Sequence, residues 1–445
     1  MQLTGSYKEI IKISLPIFGG IFANSIVGLI DIFFLGRLST IDQSAANYGY
    51  LLFLVISLVG MGISTGLQII IARKSGEGSH HLVGNIFRHG MMIAITYSIV
   101  AALFLLLFGE SFIYAITSSD ELAHSAVIYI QNRAFGLIFS MMNLIFVAFY
   151  VGTSSTLPIT FSALSGALVN IFMNYVLIFG HFGFQAYGIQ GAAYATVISE
   201  SVASMVFISY SFAFVSFKKY GFKLFDVSDL TIIKNIFSIS VPLMAQHFIS
   251  ITAWFVFFTL IENTGKQNME ASTNIRAVYS LFLMPSIALG SATNSITSNL
   301  IGQGKTMEVL GFCKRVLVLG MSIMLLLTVL LYAKYEFFLS IFTDNEAVIQ
   351  LALASREVLS AAVFFMSFGF VFFNVISGTG KTFNALLVES LNILIYIVYI
   401  VYVTTVNVGG IREIWFAETL YFFLLGFVSL IYLRYFDKVL YFRGL

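Results

Sequence analysis

Charge is scarce in this chain. Its 445 residues hold 23 Lys and Arg and 21 Asp and Glu, so 10% are charged, against roughly 25% in soluble domains. With 59% hydrophobic residues, that shortage excludes a soluble globular protein and predicts a polytopic membrane protein. The net charge of +2 excludes a nucleic-acid binder, which needs a strongly basic face. Cysteine occurs once, at Cys313, which rules out an internal disulfide. The six histidines show no metal-ligand spacing; His80, His81 and His89 are expected in a cytoplasmic loop, as solvated rather than ligating residues. No constellation of Ser, His and acid suggests a nucleophile. Gly380-Lys381-Thr382 and Gly304-Lys305-Thr306 resemble the end of a phosphate loop, but the required first glycine is Val375 in one and Asn299 in the other. These absences predict no enzyme, no cofactor and no ATP site, which leaves an ion gradient as the energy source.

What the chain has instead is long apolar runs. Short charged or Gly/Ser/Asn-bearing stretches divide them into twelve expected helices: 10–36, 44–72, 86–109, 122–150, 157–181, 189–215, 230–261, 270–299, 311–333, 347–376, 383–406 and 413–436. Pro158 suits the first turn of its helix, where a missing N–H costs nothing. The segment up to Ser14 has Lys8 and Lys12 but no small-residue cleavage site, and the apolar run after it is too long for a signal peptide, so it is read as a retained first span. With both termini placed inside, cytoplasmic segments hold 16 of the 23 Lys and Arg, as the positive-inside rule requires. This predicts a multi-pass protein of the inner (cytoplasmic) membrane with the lipid bilayer as its first partner.

An internal repeat runs at one offset. Ile13-Ser14-Leu15-Pro16 recurs as Ile239-Ser240-Val241-Pro242, Gly76-Glu77-Gly78 as Gly302-Gln303-Gly304, Phe112 and Thr117 as Phe338 and Thr343, and Gly152-Thr153 as Gly378-Thr379; each pair differs by 226. The chain is therefore expected to be an all-α tandem duplication of a six-helix unit. Six is even, so the copies are parallel repeats. The expected lobes are 1–217 and 235–445, joined by a cytoplasmic linker at 218–234, around a central cleft.

Within the first expected helix stands one carboxylate, Asp31. A charge at membrane depth costs at least about 2.5–3.5 kcal/mol, so an intramembrane acid is a functional candidate by default. Its repeat equivalent is Phe257, so the acid belongs to something the first lobe does alone. Asn170 and Asn174 are four apart and share a helix face, as do Thr196 and Glu200. Together with Asp31 they form a candidate cation-coupling set able to carry H⁺ or offer oxygens to Na⁺; helix-to-helix hydrogen bonding is the alternative for the two Asn. Arg133 is a candidate counter-charge to one of the acids. In the second lobe His247, with Gln246, is a candidate substrate or gating residue, whereas Arg356, Glu357, Glu389 and Glu418 are expected near helix ends or in structural roles. Pro16 and Pro242 are expected helix kinks. Some of the 47 Phe and 22 Tyr are expected to line an aromatic cleft suited to amphipathic or cationic solutes.

Several segments resemble the multidrug and toxic compound extrusion (MATE) transporters, and within them the DinF-like branch. They are Leu15-Pro16 through Gly28-Leu29-Ile30-Asp31 to Leu35-Gly36-Arg37-Leu38, Ala72-Arg73-Lys74-Ser75-Gly76-Glu77-Gly78, and Tyr129-Ile130-Gln131-Asn132-Arg133-Ala134-Phe135-Gly136. Asn170-Ile171-Phe172-Met173-Asn174-Tyr175 and Gly188-Ile189-Gln190-Gly191-Ala192-Ala193-Tyr194-Ala195-Thr196 are similar again. The resemblance implies an antiporter that expels small organic solutes, often cationic and lipophilic, against inward H⁺ or Na⁺; a monomer is expected. It implies Asp31 as the coupling acid, with Asn170, Asn174 and Thr196 around it. Family members commonly carry Asp where this chain has Asn174, and the NorM-like branch places an acid shortly after the proline of the seventh helix, where Pro242 to Ser250 has none. H⁺ is therefore favoured over Na⁺, although Asp31 is also where a Na⁺ would bind. A flippase for lipid-linked oligosaccharide is the alternative within the same fold superfamily.

Overall fold

The computed structural model describes residues 2–117, 119–222, 229–407 and 409–437, and no strand occurs among them. The first repeat comprises α1 (Tyr7–Leu38), α2 (Thr40–Gly76), α3 (Val83–Ile116), α4 (Asp120–Ala134), α5 (Leu137–Gly152), α6 (Leu157–Phe179) and α7 (Gly188–Phe214). After a single turn, α8 (Phe217–Tyr220), the second repeat runs α9 (Leu230–Glu262), α10 (Lys266–Gly302), α11 (Glu308–Ser340), α12 (Glu346–Leu353), α13 (Arg356–Gly378), α14 (Thr382–Val401) and α15 (Ile411–Ile431). Among the described residues eleven helices are long and apolar enough to cross a bilayer, or twelve when the bent pair α4 and α5 counts as one span.

Two expected spans are broken. Residues 122–150 were expected as one helix, but α4 and α5 meet at 53°. The break lies at Phe135-Gly136, where a Cβ on Gly136 would come within 2.9 Å of Glu200 Oε2 and meet the Arg133 guanidinium. The same break recurs in the second repeat, where 347–376 was expected and α12 ends before α13 begins. A third difference concerns His89. It lies two turns inside α3 and is fully buried, with Nδ1 against the Asn85 carbonyl at 2.8 Å and Nε2 accepting the Asp229 N–H at 2.9 Å. It is a helix residue bridging two backbone segments, in agreement with the helix expected at 86–109 and not with the loop placement.

By packing, the chain divides into two compact units, with cuts inside α1, α2 and α9 and one between α2 and α3. One unit is Leu15–Ser75 with Ser79–Met244; the other is Met1–Ser14, Gly76–Gly78 and Ala245–Leu445. The cut in α1 lies next to Pro16 and the cut in α9 two residues after Pro242, so both mark the two repeat-equivalent prolines. Of the linker expected at 218–234, residues 223–228 lie outside the described residues.

In the unit that holds most of the second repeat, the amino-terminal strap is tied to α10 and α11. The Leu3 N–H donates to Asn299 Oδ1 at 3.2 Å, Gln303 Nε2 donates to the Leu3 carbonyl at 2.8 Å, and Arg315 Nε donates to the Gly5 carbonyl at 2.8 Å. Gly5 sits at φ +66°, and a Cβ there would come within 2.7 Å of Phe312. The core of this unit is aromatic: Phe257, Tyr279, Tyr335, Trp415 and Phe422 are all 2% exposed or less. Such rings bury large apolar areas and pair edge-to-face, as Phe257 and Trp415 do at 5.3 Å between centroids.

Candidate functional site

The polar residues of the first repeat converge where α1, α6 and α7 meet. The four-residue spacing of Asn170 and Asn174 stacks both amides on the face of α6 that turns inward, and both are fully buried. Asn174 Nδ2 donates to Asp31 Oδ1 at 2.5 Å and to Asn170 Oδ1 at 3.0 Å. Asn170 Nδ2 in turn donates to Thr196 Oγ1 at 3.5 Å, and that hydroxyl donates to the Ala192 carbonyl at 3.0 Å. Asp31, Asn174, Asn170 and Thr196 therefore form one chain of side chains across three helices. Asp31 is partly buried, and Asn174 Oδ1 is enclosed without a hydrogen-bond partner.

Glu200 and Arg133 form a separate unit. Arg133 Nη1 and Nη2 donate to Glu200 Oε2 and Oε1 at 2.8 and 2.6 Å, a bidentate pair in which the guanidinium stacks 3.9 Å over the Phe53 ring. Asn143 Nδ2 donates to the Glu200 carbonyl at 3.1 Å, and its Oδ1 accepts from the Ser204 hydroxyl at 2.8 Å. The counter-charge therefore serves Glu200, and neither group hydrogen-bonds to Asp31. Asn143 was missed in the sequence; the signal is an amide standing alone in the apolar run Leu137 to Val151.

In the second repeat, His247 Nε2 and Gln246 Oε1 are enclosed without partners on α9, and Pro242 lies inside the same helix. Ser250, one turn beyond Gln246, donates to Glu389 Oε1 at 3.0 Å, and Tyr421 donates to the same oxygen at 2.6 Å. Glu418 accepts from Tyr279 at 2.6 Å and Tyr396 at 2.9 Å. Both acids are 2% exposed and sit in the middle of α14 and α15, not near helix ends. Arg356 and Glu357, by contrast, do open a helix, and Glu357 pairs with Arg412 at 2.7 Å.

Known proteins support the fold and place the family. A model of the MatE family matches residues 16–176 and again 242–402, two equal stretches whose starts lie 242 − 16 = 226 residues apart, the repeat offset itself. A "Probable multidrug resistance protein NorM" of Thermotoga maritima is 24% identical over 390 residues, covering 87% of this chain and 83% of the relative. A protein of the same description from Mannheimia succiniciproducens is 28% identical over 361 residues, 80% of this chain and 76% of the relative. Among solved structures, one described as "Outward-facing conformation of a multidrug resistance MATE family transporter of the MOP superfamily" superposes with a TM-score of 0.89 at 17% identity, covering 96% of this chain and 94% of that one. "Crystal structure of MATE in complex with MaL6" gives 0.88 at 18% identity over 96% and 95%. Matched once in each repeat and over most of its length, the chain belongs to the MatE family, whose members are membrane transporters of multidrug efflux and not enzymes.

Proposed function

We propose that this transporter is a cation-coupled antiporter of the DinF-like kind, in which Asp31 takes up H⁺ from outside and the chain exports organic, cationic or amphipathic solutes. In this reading it acts as a monomer with both termini on the cytoplasmic side. The observation that carries the reading is the partner set of Asp31: amides and a hydroxyl on α6 and α7, with the nearby guanidinium already held by Glu200. A carboxylate so placed is free to exchange a cation, because no fixed positive charge neutralises it.

The amides supply the coupling. While Asp31 is ionised, Asn174 Nδ2 donates to it; once Asp31 carries a proton, it needs an acceptor, and Asn174 Oδ1 is an unpartnered one. Turning that amide exchanges donor for acceptor and changes how α1 is held against α6. Protonation thus acts on the packing of α1, the helix in which Pro16 lies. Na⁺ coordination is less favoured here because Asn174 contributes no second carboxylate.

In proteoliposomes with an imposed pH gradient, Asp31→Asn is expected to abolish gradient-driven export of a fluorescent cationic dye while the protein still folds and inserts. Export by that variant at the wild-type rate would sink the assignment, and export driven by a Na⁺ gradient alone would replace H⁺ with Na⁺. A lipid-linked oligosaccharide flippase calls for a cationic lining, and Arg133, the residue such a reading leans on, is neutralised by Glu200.

A further inference from the structure

The second repeat has a carboxyl in the place where the first repeat has its coupling site, hidden by a change of register. Between the last two helices of each repeat the offset falls from 226 to 222: Gly188-Ile189 aligns with Gly410-Ile411, and Ala195-Thr196 with Ala417-Glu418. The preceding helices keep 226, so Asn170 corresponds to Tyr396. The contacts agree with that alignment. Asn170 donates to Thr196, and Tyr396 donates to Glu418. Asp31 corresponds to Phe257, whose ring lies 6.0 Å from that of Tyr396. In the second repeat the acid has moved from the first helix of this junction to the last.

The surroundings of Glu418 lack a fixed counter-ion. Its two oxygens accept from Tyr279 and Tyr396, the group is 2% exposed, and the rings of Phe257, Trp415 and Phe422 pack against those two tyrosines. A bare carboxylate in such a site costs several kcal/mol unless it is paired or neutralised. The Tyr421 ring stands 5.8 Å from that of Tyr396, and its hydroxyl reaches Glu389, which also accepts from Ser250. The ionisable groups around the junction are thus His247 on α9, Tyr279 on α10, Glu389 and Tyr396 on α14, and Glu418 and Tyr421 on α15; no Lys or Arg is a hydrogen-bond partner of either acid. Two buried acceptors, Glu389 Oε2 and Asn392 Oδ1, have no donor at all. The network is short of a hydrogen.

We propose that Glu418, linked through Tyr396 and Tyr421 to Glu389, is a second proton-exchanging site of this transporter, equivalent in place to the Asp31 site. A phenol hydroxyl both donates and accepts, so Tyr279 or Tyr396 can turn to receive the proton of a neutral Glu418 and turn back when it leaves. A proton fits better than a metal ion, because dehydrated hard cations need six or so oxygens and the walls here are aromatic carbon. The inference rests on the reading of the chain as an ion-coupled transporter, but not on which ion Asp31 takes.

The test is infrared difference spectroscopy of the full-length protein in lipid nanodiscs during a pH titration, following the C=O band of protonated carboxyls. Glu418→Gln is expected to remove a titrating band that Asp31→Asn retains, Tyr396→Phe to shift the frequency of that band, and added Na⁺ at constant pH to leave it in place. The proposal is overturned if the Glu418→Gln difference spectrum equals that of wild type, if the Glu418 band is present but does not respond to pH, or if Na⁺ alone abolishes it. Should Glu418→Gln fail to fold, the Tyr396→Phe shift decides in the same way. A silent Asp31 beside a responsive Glu418 would defeat the proposed role of Asp31 and leave this site standing.

Discussion

The junction of α1, α6 and α7 and that of α9, α14 and α15 derive from one duplicated scaffold, yet they solve the burial of an acid differently. In the first, small polar side chains leave Asp31 partly buried and hand it amide donors. In the second, large rings exclude water and two tyrosine hydroxyls serve a fully enclosed Glu418. The difference teaches that duplication preserved the meeting place of three helices rather than the identity of the charged position. The polar junction gains little stability from its contacts, since an amide-to-carboxylate network mainly replaces hydrogen bonds to water. The aromatic junction carries a share of the hydrophobic core.

That contrast can be broken by substitution. Phe257→Ala is expected to have the largest effect on stability, about 3–5 kcal/mol, because it empties a fully buried site among Tyr396, Trp415 and Phe258. Its repeat counterpart Asp31→Asn should change unfolding in detergent by under about 1 kcal/mol; similar losses at the two positions would show that the junctions do not divide function and stability between them. Arg133→Ala comes next, at about 3 kcal/mol, because it leaves Glu200 without its bidentate partner. Adding Glu200→Gln should recover most of that loss, and failure to recover it in a thermal unfolding series would mean that the guanidinium acts through Phe53 packing instead.

The smallest effect belongs to neither junction. The Thr231 N–H donates to Asp229 Oδ1 at 2.8 Å and holds that exposed carboxyl below the usual carboxylate range. Its contribution is present above the ordinary carboxylate value and is lost as pH falls through the lowered one. A slight drop in melting temperature on acidification is therefore expected, and it should be missing in Asp229→Asn.

Much of the fold was legible because membranes impose simple rules. Apolar runs of bilayer length have to be helices, and a constant offset of 226 has to be a duplication. The family model, matched at the same offset, agrees with that reading. Asp31 stood out because a carboxylate in an apolar run is costly. The breaks at Phe135-Gly136 and at Ala354-Ser355 were not legible, since hydropathy reports whether a segment is apolar and not whether its axis bends. His89 was placed in a loop with His80 and His81 although the expected helix 86–109 covers it, and the backbone partners that bury its ring join segments 140 residues apart, which spacing does not report. Glu418 escaped because one fixed offset sets it against Ala192; the shift to 222 shows in Gly410-Ile411 and Ala417 only once that offset is relaxed, and the Tyr396 hydrogen bond agrees with it.

By itself the sequence determined the number of spans, the duplication, the family and the single acid of the first helix, because each is a one-dimensional property of charge, apolarity or spacing. Only the tertiary structure decided that Arg133 serves Glu200, 67 residues away, and that Asn174 serves Asp31, 143 residues away. It alone decided, too, that Glu418 takes Tyr279 and Tyr396 as its partners. Partner choice depends on which helix faces meet, and at membrane depth a polar group takes whichever partner the packing brings within reach.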